Sequence, residues 1–143
     1  MRHTLLTPCL ILAIVSSLGM GCVVKDTSSV EQAAIAAAEK WLDFVDNERY
    51  EASWDEAATL LKSAVKKSDW DAKIRAARSP LGTVVSRELT SFQYHTDLPG
   101  APDGEYVVIE FKTRFEYKSM AIETITPMLD ADSFWRVSGY YIR

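Results

Sequence analysis

The run YVVIEFKTRF, Tyr106 to Phe115, decides the fold class of this chain. Val107, Ile109, Phe111, Thr113 and Phe115 fall on one face, and Tyr106, Val108, Glu110, Lys112 and Arg114 on the other. Alternation with a period of two predicts a strand that lays one face on a core and turns the other to water.

The neighbouring segments extend the same pattern. Val84 to His95 also reads as extended, but its phase slips. Val85 and Leu89 share one face while Phe92 and Tyr94 share the other. A bulge between the two pairs would restore the register. Asp97 to Gly104, DLPGAPDG, joins these strands, with Pro-Gly and Asp-Gly as turn signals. Met120 to Leu129 is a third extended run. Pro127 within it cannot donate to a ladder and marks an edge or an irregularity. Asp130 to Ser133 is a turn, and Phe134 to Ile142 is the last strand. Gly139 inside it suggests a close approach by another segment.

Upstream of Gly82 the period is helical. Ser28-x-x-Glu31 and Ser29-x-x-Gln32 both fit a capping box. Ala34, Ala38, Trp41, Leu42 and Val45 then form an apolar stripe, with a stop at Asp46-Asn47. Tyr50, Trp54, Ala57, Ala58, Leu61 and Val65 predict a second helix, acidic early and lysine-rich late, which suits the helix dipole. Ser68 reads as the N-cap of a third helix carrying Trp70, Ile74 and Ala77. Arg75 and Arg78 lie near its end, and Pro80 stops it. The expected architecture is α+β: three N-terminal helices packed on one face of a four-stranded antiparallel curved sheet, cone-like in outline.

The N-terminus reads as an export signal. Met1-Arg2-His3 is basic, Leu5 to Val15 is mostly apolar, and small residues follow at Ser16, Ser17, Gly19 and Gly21. Cys22 stands where a bacterial lipoprotein signal carries its lipidated cysteine, with Gly21 before it. Gly19 occupies the place where a leucine is usual. The reading is a signal peptide over 1–21, a tether over 22–29 and one domain over 30–143. Cys22 would carry lipid (palmitate and its relatives), and the domain would face the periplasm on the membrane of the cell envelope. A cleaved, soluble periplasmic form and an uncleaved anchor are the alternatives. With Cys9 removed, Cys22 is the last cysteine, so no internal disulfide can form.

Composition narrows the function. The chain of 143 residues suits one compact domain, and 48% of it is apolar. A net charge of −4 with no basic run argues against nucleic-acid binding. His95 would be the one histidine of the mature chain, which rules out a His-His zinc motif, and no G-x-S-x-G or Gly-rich phosphate loop is present. No cofactor or metal is therefore expected. Glu110 and Glu123 lie on extended segments that could line a concave face as proton shuttles, although both read more simply as surface residues. The aromatic set is the strongest sign of a site. Trp41, Trp54, Tyr94, Phe111, Trp135 and Tyr141 are candidate pocket-lining residues, together with Tyr50 and Phe92 as core-facing aromatics. Simple core packing is the commoner role for such a set.

The stretches AAEKWLDFVDNERYEASWDEAATLLKSAV, SDWDAKIRAARSPLGTVVSRELTS, LPGAPDGEYVVIEFKTRF and ETITPMLDADSFWRVSGYY resemble a bacterial family, domain of unknown function 4019. The resemblance runs from about Ala33 to Arg143. It implies an envelope location. The order of helices followed by a curved sheet is also similar to the nuclear transport factor 2-like superfamily, which holds enzymes, binding modules and structural proteins. The family resemblance supplies no catalytic residues. The function expected is a non-catalytic binding or accessory module of the envelope, with an envelope protein or an apolar small ligand as partner. A ketosteroid-isomerase-like enzyme acting on an apolar molecule and a homodimeric structural module are the alternatives.

Overall fold

The structure is a computed structural model that describes residues 27–143. The proposed signal peptide and Cys22 lie outside the described residues. Four helices come first: α1 (Thr27–Asp46), α2 (Tyr50–Asp55), α3 (Thr59–Ala64) and α4 (Lys67–Arg78). A 3-10 turn over Ser79–Leu81 leads to β1 (Val84–His95), β2 (Tyr106–Phe115), β3 (Ala121–Leu129) and β4 (Trp135–Ile142). The strands form one antiparallel sheet in the order β1-β2-β3-β4. The chain is α+β as the periodicities predict, with four α-helices rather than three.

α1 already contains Thr27, Ser28 and Ser29, so the helix enters what was read as tether. Its stripe of Ala34, Ala38, Trp41, Leu42 and Val45 is buried and packs against Val107, Ile109, Phe111, Ile125 and Val137. α1 touches all four strands. The left-handed residue that ends it is Glu48 (φ 57), not Asn47, whose side chain instead caps the Asp43 carbonyl at 2.7 Å.

The extra helix arises because the predicted second helix breaks at Ala57-Ala58. Ala58 is extended (ψ 153), and its N–H donates to the Val137 carbonyl on β4 at 2.9 Å. A tertiary partner replaces the helical one, and both alanines are fully buried. The next helix, α3, is met at its start by Asp130, whose carboxylate accepts from the Thr59 N–H at 3.1 Å. α4 begins one residue before Ser68, with Lys66 in the flanking position that Ser68 was expected to hold.

In the sheet, the expected bulge falls between Leu89 and Ser91. It places Leu89, Phe92 and Tyr94 opposite Phe111, Ile109 and Val107, all on the inner face. A second shift lies between Val84 and Ser86. Pro127 sits in an internal strand, and its irregularity is a shift against β4 between Thr126 and Pro127. Bulges of this kind bend strands, which accounts for the curvature of the sheet. Gly139 marks no close approach: a Cβ there would meet only Thr126 at 3.8 Å.

Candidate functional site

The inner face carries an unforeseen feature, a cluster of charged side chains in the core. The pattern that buries the apolar residues also brings these inward. Asp46 follows Leu42 by one helical turn on α1, and Arg78 follows Ile74 likewise on α4. Glu123 is in phase with Ala121 and Ile125 on β3, and Thr113 with Phe111 and Phe115 on β2. Arg87 lies opposite Thr113, and Tyr140 opposite Ile125.

Glu123 is 0% exposed, and both its oxygens are occupied. Oε1 accepts from Arg87 Nε at 2.9 Å and from the Thr113 hydroxyl at 2.5 Å. Oε2 accepts from Arg87 Nη2 at 3.2 Å and from the Tyr140 hydroxyl at 2.5 Å. Arg87 also donates to Asp46 at 2.6 and 3.0 Å. Arg78 donates to Asp46 at 3.0 Å and to Tyr140 at 3.2 Å, and its guanidinium lies over the Phe115 ring, 4.8 Å from the centroid. Arg78 Nε is the one donor of the cluster left without a partner.

Two arginines and two carboxylates leave the cluster formally neutral, the condition under which buried charge is tolerable. Burial alone would lower the affinity of Arg87 for its proton, but hydrogen bonds to Asp46 and Glu123 outweigh it and hold the guanidinium above its ordinary range. Arg78 is raised in the same way, with Tyr140 and Asp46 outweighing burial. Burial first, and then the charge of Glu123, push the Tyr140 phenol well above its usual value. The arrangement clasps α1, α4 and all four strands together. Both oxygens of Glu123 are taken by donors, while the Asp46 side chain stays 24% exposed at the edge of the cluster.

Glu123 is thus not the surface residue its sequence context suggests, whereas Glu110 is half-buried, bonding to Arg143 at 2.8 Å. The missed signal was a set of charged residues standing in core phase, which calls for partners.

The six candidate pocket residues do not surround one space. Phe111 and Trp41 are in the core, where Trp41 Nε1 donates to the Ser53 carbonyl at 2.7 Å. Tyr94 packs against that core. Trp54 donates to the Val65 carbonyl at 2.9 Å beside Lys62. Trp41 and Trp135 do meet, at a groove of about 140 Å³ that Phe44 and Phe134 also line. Tyr141 is 62% exposed and belongs to a separate groove, so it does not face the core as expected. Phe92 is on the inner face opposite Ile109 but is 43% exposed, outside the buried core. His95 ends β1 opposite Tyr106 and is half-buried. Among the described residues no group of three or more His, Cys, Asp or Glu is placed to hold a metal ion. No helix among them is long and apolar enough to cross a membrane.

Comparison with known proteins yields one family. The model described as "Protein of unknown function (DUF4019)" matches residues 37–140, from the middle of α1 to Tyr140 of the charge cluster. No curated protein and no solved structure matches the chain. A match over that span covers nearly every element described above, and the chain belongs to the DUF4019 family.

Proposed function

We propose that this protein is a lipid-anchored module of the bacterial cell envelope, acting by binding rather than catalysis on a cone-like scaffold of nuclear transport factor 2-like type. One observation carries the non-catalytic half of this reading. Glu123, the one fully buried carboxylate among the described residues, is held by two arginines, a tyrosine and a threonine. A proton shuttle of ketosteroid-isomerase type needs its carboxyl group exposed to an apolar cavity that admits substrate. Here Trp41, Leu42, Ile109, Phe111 and Ile125 fill the space between α1 and the sheet. The anchoring half is supported by the basic start, the apolar run and Gly21-Cys22.

The test begins with the full chain expressed in a bacterium and mass spectrometry of its mature N-terminus. The expected species starts at Cys22 and carries a thioether-linked diacylglycerol. An unmodified start beyond residue 22 would refute the anchor. Photo-crosslinking in intact cells, followed by solubilisation, should then recover the chain joined to an envelope protein or a small apolar ligand.

A further inference from the structure

The β4 end of the sheet carries an unfilled strand position. Arg143 and Ile122 exchange both backbone hydrogen bonds, at 2.9 and 3.0 Å. In an antiparallel ladder such pairs alternate with pairs whose N–H and C=O groups point outward. Tyr141, opposite Thr124, therefore bonds inward to β3, while the N–H and C=O of Tyr140 and Ile142 point to the open edge. No group among the described residues meets them. Earlier on the same edge the Val137 carbonyl is already taken by Ala58. The open stretch thus begins after Gly139.

Beside this stretch runs a groove of about 350 Å³. Trp70, Ile74 and Ala77 of α4 form one wall, and Tyr140 and Ile142 the other. Lys73 stands among the α4 residues, exposed and outside every ion pair and hydrogen bond found in the described residues. The opposite edge of the sheet is different. β1 is bulged twice along its length, a common protection of an edge against pairing.

We propose that the β4 edge at Tyr140–Ile142 is a strand-addition site for an extended peptide with apolar residues at alternate positions and an acidic residue beside Lys73. Only an extended backbone presents donors and acceptors at the spacing of the two outward residues. Its residues opposite Tyr140 and Ile142 would enter the groove under α4, and the one between them would face solvent beside Tyr141. The positive charge of Lys73 selects a carboxylate over an amine. The proposal rests on the reading of the protein as a binding module and names the surface and the partner chemistry.

The experiment uses the detergent-solubilised full chain and synthetic peptides of alternating valine, flanked by glutamate in one series and lysine in the other. The glutamate series should bind, with amide shifts and slowed hydrogen exchange at Tyr140 and Ile142. Ile142→Pro removes an outward N–H without removing a ladder bond to β3, and should abolish binding. Lys73→Glu changes an exposed, unpaired side chain, and should weaken the glutamate series by about tenfold or more while favouring the lysine series. Equal binding of both series, shifts on β1 instead, or a concentration-dependent dimer through β4 would each overturn the proposal. If peptides fail to bind while Cys22 is lipidated and a partner still crosslinks elsewhere, this site falls and the binding-module reading stands.

Discussion

Glu123 is the residue on which the interior depends. Taking two ions out of water costs several kcal/mol each, and here that cost is offset only because every oxygen of Glu123 has a donor. Glu123→Gln keeps the shape and removes the charge, leaving Arg87 and Arg78 short of a counter-ion. It should destabilise the fold by about 3–5 kcal/mol in urea unfolding, the range for a broken buried pair. Arg87→Met alone should cost a similar amount. The double variant Arg87→Met with Glu123→Leu should cost much less than the sum, since no uncompensated charge remains. Tyr140 adds a pH dependence. Burial and the neighbouring charge of Glu123 hold its phenol well above the ordinary tyrosine range, so in alkali the unfolded chain loses this proton before the folded chain does. Stability from this group is therefore complete below about pH 10 and lost as pH rises toward the folded value. Melting temperature should fall as pH rises above about 10 in the wild type, and Tyr140→Phe should flatten that fall.

Among the elements, the break between α2 and α3 is where local preference gave way. The apolar stripe from Tyr50 to Val65 is continuous at helical spacing, and nothing local forbids one long helix. The interruption comes from the Val137 carbonyl on the edge of β4, which needs a donor and takes the Ala58 N–H. Gly82 is the reverse case, a local necessity visible as a glycine after Ser-Pro-Leu. It stands at φ 74 and ψ −160, a region open in practice to glycine alone. A Cβ there would lie 2.8 Å from the Tyr117 ring and 2.9 Å from Glu116 Cβ. Gly82→Ala should cost at least about 1–3 kcal/mol, read from the denaturation midpoint at unchanged m-value. The bulge at Leu89/Ser91 was legible because four apolar residues fell out of phase, and only a spare residue reconciles them.

For the molecule as a whole, the proposed anchor and the folded body should be separable by experiment. Replacing Cys22 by alanine should move the protein from the membrane fraction to the soluble one after cell lysis, with no change in melting temperature, because the core cluster is built from Ala34 onward. A melting temperature that fell with the loss of Cys22 would mean that the N-terminus packs on the fold. The amino-acid order alone determined the two periodicities, the limits of the strands to within about a residue, the inward face of β2 and the family. These are local properties, carried by spacings of two and of three to four residues. The tertiary structure decided which charges go inside and where the second helix stops. Arg87 and Glu123 stand 36 positions apart, and Arg87 and Asp46 41. A carboxylate in core phase is acceptable only once such distant partners arrive, and no spacing along the chain states that they will.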